Sequence, residues 1–130
     1  MSYNLLADSY ATSDMHSHAS SAVLSFSFRG PRLIEEISMS GASLICLQEV
    51  DRIDDFYDQK LQNLGYNLVY GKREGQGNPL APEHHTIAIA YKKSEWFMID
   101  NLLIDLGEVS KWLPGDERAM RPKKAMLVYL

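Results

Sequence analysis

Glu49 is the acid in this chain whose position is best suited to chemistry. It stands in SLICLQEVD, where the apolar run Leu44, Ile45, Cys46 and Leu47 ends in Gln48 and Glu49 before Val50. A short continuous apolar run, bounded by Gly41 on one side and charges on the other, reads as a strand buried on both faces. The carboxyl ends of central strands in α/β proteins open into the crevice where ligands bind, so an acid there projects into a site from a rigid backbone. Asn4 is the second polar residue set into an apolar stretch, YNLLA, and a buried amide demands hydrogen-bond partners or a ligand. The histidines are weaker candidates. His16 and His18 could share a metal only from a strand face or a loop, and no cysteine or third histidine lies beside them. His84 and His85 close a glycine-rich stretch that has no Gly-Lys-Ser/Thr ending, so it is not a phosphate loop. Arg118, Arg121, Lys123 and Lys124 form the one locally basic stretch, suited to phosphates if it lies near a site.

The totals restrict what these residues can serve. At 130 residues the chain suits one small domain with a real core. Its hydrophobic content of 45% and charged content of 23% are those of a folded globular protein. A net charge of −4 supplies no global positive field to attract nucleic acid, so a phosphate-bearing substrate requires local cations. The single cysteine, Cys46, excludes an internal disulfide and reads as a small core hydrophobe. With no stretch long enough for a membrane span and no basic-then-apolar leader, the expected setting is the cytoplasm or nucleus, away from membranes.

The elements that must position Asn4 and Glu49 follow from periodicity. Residues 1–7 read as the end of a strand entered midway. Asp8 to Ser27 is polar and reads as loop. A helix is expected from Gly30, with Pro31 in its first turn, Leu33, Ile34 and Ile37 on one face, and Gly41 as its stop. A second helix is expected over Asp51 to Leu64, where Ile53, Phe56, Tyr57, Leu61 and Leu64 recur at three- and four-residue spacings before Gly65. Strands follow at Tyr66 to Tyr70 and Thr86 to Tyr91, separated by a loop over Gly71 to His85. Glu95 to Leu106 suggests another strand or a pair, with Trp96 and Trp112 as packing anchors. Ala125 to Leu130 is an apolar strand that calls for a neighbour. Helix, strand, helix, strand is the alternation of an α/β layer structure.

SYNLLADSYA, then FRGPRLIEEI, then LICLQEVD closely resembles the endonuclease/exonuclease/phosphatase superfamily, nearest to its carbon catabolite repressor type deadenylases with their nocturnin and Angel relatives. YGKREG followed by TIAIAYKKSEWF fits the next segments of that branch. The resemblance implies the N-terminal half of a two-sheet α/β sandwich of the DNase I-like kind, a mixed sheet with flanking helices, cut at both ends. It further implies a metal-dependent phosphoesterase in which Asn4 orients a metal-bound water or phosphate and Glu49 coordinates Mg²⁺ or Mn²⁺, with Arg29 and His85 at the substrate. Mg²⁺ suits those types, since it takes one or two carboxylates and completes its octahedron with water and phosphate oxygens. The implied substrate is poly(A) RNA, in mRNA decay and alongside a deadenylase-complex scaffold. The family's remaining machinery, a GDFN-like strand end and a late Ser-Asp-His element, does not occur in these 130 residues, so little hydrolysis is expected from them alone. Where deadenylases read Asp-Gly-Cys-Ala, this chain reads His85, Thr86, Ile87, Ala88, which leaves open related phosphoesters: the 2′-phosphate of NADPH, 2′,5′-oligoadenylate or a cyclic phosphate. A non-catalytic half-domain that binds a partner is the reading outside enzymology.

Overall fold

The computed structural model of the chain describes residues 1–71, 86–105 and 124–130. The chain divides into two bodies, Met1–Trp96 and Phe97–Leu130. The first contains β1 (Ser2–Asn4), α1 (Ser21–Leu24), α2 (Phe26–Ser40), β2 (Leu44–Val50), α3 (Asp58–Asn63), β3 (Tyr66–Tyr70) and β4 (Thr86–Lys92). Its sheet has the order β1-β2-β4-β3, with β1 parallel to β2 and the other neighbours antiparallel. The α/β expectation is met: a mixed sheet with flanking helices. No helix among the described residues is long and apolar enough to cross a membrane.

The core lies on one side of this sheet. Ile37 of α2, Ile45 and Leu47 of β2, Leu61 of α3 and Ala90 of β4 are almost wholly buried in a single cluster. The expectation that β2 is buried on both faces is corrected here. Ile45 and Leu47 are buried, but Leu44, Cys46 and Gln48 between and beside them are only half-buried. Side chains alternate along a strand, so an unbroken apolar run conceals which face is covered.

Two helix boundaries move for the same kind of reason. The first long helix starts at Phe26, not Gly30, and Pro31 falls within its second turn. Phe26 is drawn in by packing: its ring lies edge-on to Phe56 at 4.9 Å and beneath the Arg52 guanidinium at 4.3 Å. The short α1 likewise occupies part of the segment expected to be loop. The second helix opens with a wide π-type turn, Ile53–Tyr57, because the N–H groups of both Phe56 and Tyr57 reach the Arg52 carbonyl at 3.1 Å. That turn sets the two rings edge-on to one another at 5.2 Å.

Gly30 is buried where these rings converge, and a Cβ placed there would stand 2.9 Å from the Phe26 ring and 3.2 Å from Phe56. Alanine normally improves a helix interior by about 1 kcal/mol over glycine. Overpacking costs about 1–3 kcal/mol, so Gly30→Ala is expected to be destabilising on balance, by about 1 kcal/mol. Thermal unfolding of the variant checks this, and a rise in Tm would contradict the packing argument.

The second body pairs β5 (Asp100–Asp105) with β6 (Lys124–Tyr129) in antiparallel register, Leu102 opposite Leu127. The Ile99 N–H extends the ladder to the Tyr129 carbonyl at 2.8 Å. The start of the stretch expected as strand does not join it: the N–H groups of Glu95 and Trp96 fold back onto the Lys92 carbonyl in a turn. Trp96 is 40% exposed, so its expected role as a packing anchor is corrected, and Trp112 lies outside the described residues.

Candidate active site

The site is built where β1 and β2 end. Parallel strands carry their carboxyl ends to the same edge, and the register Asn4 opposite Gln48 brings Asn4 level with the end of the QEV stretch. The next ladder bond, Leu5 N–H to the Gln48 carbonyl at 3.0 Å, fixes that alignment. Between Leu47 and Val50 the pairing with β4 slips. Leu47 opposes Ala88 and Val50 opposes Thr86, so three steps on β2 match two on β4 and one extra residue is accommodated. This bulge returns Val50 to the buried face, at 0% exposure, although it lies at the wrong parity for an unbroken strand. It also places Glu49 at φ +52°, in the left-handed region that a non-glycine residue seldom adopts.

The result is direct contact between the two residues singled out from the sequence. Asn4 Nδ2 donates to Glu49 Oε1 at 2.8 Å. The Leu6 N–H donates to Asn4 Oδ1, also at 2.8 Å, from a residue itself at φ +54°. One bond therefore sets which way the amide faces, and the other occupies one of the two carboxylate oxygens. Asn4 is exposed, not buried as the apolar stretch suggested; both of its amide atoms are nonetheless partnered. For a cation, this is an open donor set. Among the described residues no group of three His, Cys, Asp or Glu is gathered to hold a metal. A single carboxylate at an accessible strand end fits the way Mg²⁺ is held, which leaves most of its positions to water and phosphate, and does not fit a closed all-protein cage.

Behind the pair lies a charged lattice that sequence reasoning missed. Arg29 of α2 sends Nη1 to the carbonyls of Leu5 and Leu6 at 3.1 and 2.7 Å, Nη2 to Asp8 Oδ1 at 2.6 Å and Nε to the Leu24 carbonyl at 2.8 Å. Its side chain is 13% exposed. Arg29, expected at the substrate, thus has its donors turned to the chain itself. The Asp8 N–H in turn donates to Asp51 Oδ2 at 2.6 Å, and Asp8 Oδ2 lies 3.7 Å from Arg52. Burial raises the Asp51 carboxyl above the usual range, opposed by the bond from Asp8 N–H. The signal was present in the sequence, since Asp8 ends YNLLAD and Asp51 ends QEVD, but acids after apolar runs are ordinarily solvated loop starts.

The histidines contribute less. His16 and His18 face one another edge-on at 6.2 Å, and His84 and His85 lie outside the described residues, as do Arg118, Arg121 and Lys123. Beside Asn4 runs a cleft of about 290 Å³ between β1 and α2, lined by Tyr3, Leu6, Phe28 and Leu33, with Glu36 at its edge. The Tyr3 hydroxyl donates to Glu36, and burial, followed by that acidic partner, raises the phenol to about 12. The folded state therefore holds this proton where an unfolded chain, at 10.0, has lost it. Stability from Tyr3 is complete below pH 10 and is lost as pH rises toward 12. Tyr3→Phe is expected to flatten that alkaline decline in urea unfolding, whereas an unchanged slope would show that Tyr3 ionises as freely as in water.

A mixed sheet with covering helices, presenting an amide and a carboxylate from adjoining strand ends, is the DNase I-like fold. Solved structures agree: ANGEL2, described as a 2′,3′-cyclic phosphatase, matches 98% of this chain with a TM-score of 0.77 and 26% identity, the match covering 35% of that chain. The human nocturnin catalytic domain matches 80% of this chain with a TM-score of 0.60 at 23% identity, again over 35% of its own length. In sequence, the CCR4-Not complex 3′-5′-exoribonuclease subunit Ccr4 of Neurospora crassa is 30% identical over 115 residues, 85% of this chain and 14% of the relative. Carbon catabolite repressor protein 4 homolog 4 of Arabidopsis thaliana is 37% identical over 76 residues, 58% of this chain and 18% of the relative. No family model matches. The chain belongs to the endonuclease/exonuclease/phosphatase superfamily, on its Ccr4-like branch, and spans a minor part of the length of these relatives.

Proposed function

We propose that residues 1–130 supply the metal-binding strand ends of a Mg²⁺-dependent phosphodiesterase that shortens poly(A) RNA from its 3′ end. The observation that carries this reading is the Asn4 to Glu49 hydrogen bond at 2.8 Å, formed across two strand ends beside the bulge that also returns Val50 to the core. Glu49 would hold the cation through a carboxylate oxygen, and Mn²⁺ satisfies the same donors. The cation, when bound, acidifies the attacking water and offsets charge on the phosphate. Asn4 holds Glu49 in one orientation and presents its amide beside it. The Ccr4 relatives, named as 3′-5′-exoribonuclease subunits of the CCR4-Not complex, support RNA as substrate and an assembly scaffold as partner, and action in cytoplasmic or nuclear mRNA decay is part of the same proposal. The partial span of the fold supports low activity from the 130 residues alone.

A second substrate has its own support, since the structural match to ANGEL2 reaches a TM-score of 0.77. Opening a terminal 2′,3′-cyclic phosphate likewise needs a water aimed at one phosphorus, which a cation at Glu49 would activate. The deciding experiment replaces the matching segment of a Ccr4 relative with this chain and supplies the chimera with Mg²⁺. Progressive shortening of 5′-labelled oligo(A) is the expected result. Opening of a cyclic-phosphate end without shortening would transfer the assignment to the second substrate, and inactivity on both in a folded chimera would remove the catalytic reading.

A further inference from the structure

We propose that Arg29 is the positioning residue of the Asn4–Glu49 pair, acting from behind the site and without touching substrate. Asn4 and Glu49 sit at the ends of separate strands, and neither strand end by itself fixes its side chain. Asn4 is aimed by the Leu6 N–H, and Leu6 can offer that N–H only while it remains at φ +54°. An L-residue held there is strained and persists only when its surroundings over-determine it. Arg29 is the group that does so: one nitrogen of its guanidinium binds the carbonyls of both Leu5 and Leu6, directly after Asn4. The other terminal nitrogen holds Asp8, whose own N–H is bound by Asp51, two residues beyond Glu49. Arg52, the third non-glycine residue at positive φ, closes the circuit from the Glu49 side at 3.7 Å from Asp8. A single planar fork thereby ties the turn after Asn4 to the corner after Glu49. Lysine cannot replace it, because an ammonium offers no fork able to engage two carbonyls and a carboxylate in fixed directions.

The test uses the 130-residue chain and two readouts. One is the Asn4 side-chain amide observed by NMR without metal, whose protons are shifted and exchange slowly while bound to Glu49. The other is the response of the same signals to added Mg²⁺, which alone rests on the metal reading above. Arg29→Lys is expected to keep the backbone spectrum of the α2 and α3 cores, release the Asn4 amide to solvent-like exchange, and weaken the Mg²⁺ response about ten-fold. Asp8→Asn, which spares the two carbonyl bonds, is expected to move both readouts the same way by a smaller amount and guards against a misfolded Arg29 variant. Arg32→Gln on the exposed face of α2 serves as the control for lost charge. An Asn4 amide that stays bound and protected in folded Arg29→Lys would overturn the proposal. If wild-type chain shows no Mg²⁺ response while the amide still depends on Arg29, the metal reading fails and the positioning role stands.

Discussion

Glu49→Gln is expected to remove Mg²⁺ binding from the chain and, in the chimera with a Ccr4 relative, to lower hydrolysis on the order of 10³-fold. A bound cation contributes several kcal/mol of transition-state charge stabilisation, and each 1.36 kcal/mol is a factor of ten. Gln keeps the length and one carbonyl oxygen of Glu49 but loses the charge that would hold a hard cation. The variant separates ligation from packing, because Glu49 is only half-buried and adds nothing to the apolar cluster. Calorimetric titration with Mg²⁺ and single-turnover hydrolysis are the two measurements. A Glu49→Gln chimera that retains full activity with unchanged Mg²⁺ dependence would place the cation elsewhere.

The largest stability effect is expected at Tyr57. Its ring is 1% exposed and lies edge-on to both Phe26 at 6.0 Å and Phe56 at 5.2 Å. It joins α2 to the wide turn that follows Glu49, so its removal leaves a cavity between a helix and the segment carrying the site. Truncating a large buried aromatic residue costs about 3–5 kcal/mol, and a small domain has only about 5–15 kcal/mol in total. Tyr57→Ala is therefore expected to lower the urea midpoint by about 1–5 M, given slopes of about 1–3 kcal/mol per M. Burial raises the Tyr57 phenol well above its ordinary value, so Tyr57→Phe, which keeps the ring, is the control for the hydroxyl. Equal losses in the two variants would assign the effect to the hydroxyl and not to ring packing.

The parts of this site that depend on local pattern were legible, and the parts that depend on pairing were not. The run LICLQEV announced a strand with an acid at its end because apolar content and length are properties of the segment itself. Nothing in those seven letters reveals the extra residue between Leu47 and Val50. It exists only against the partner positions Thr86 and Ala88, and the left-handed Glu49 exists only because of it. The family resemblance assigned Arg29 to the substrate. Its inward role requires knowing that residues 5–8 return to α2, a contact 21 to 24 positions away in sequence. The early start of α2 and the wide turn at Ile53–Tyr57 have one origin, the clustering of Phe26, Phe56 and Tyr57, which outweighs the local stop and start signals of Gly30 and Pro31.

Leu6, Glu49 and Arg52 hold backbone conformations that glycine would adopt without penalty. One route to a hardier protein thus runs through positions that shape the site. A library selected for heat resistance alone is expected to accumulate glycine at 6 and 49, where it relieves about 1 kcal/mol of strain at each, while Arg52 is kept by its contacts with Phe26, Asp8 and Asp55. Such a population would become more robust while the carboxylate disappeared and the Asn4 amide lost its partner. Any effort to engineer durability into this chain has to exclude these positions and seek its gains in the helices.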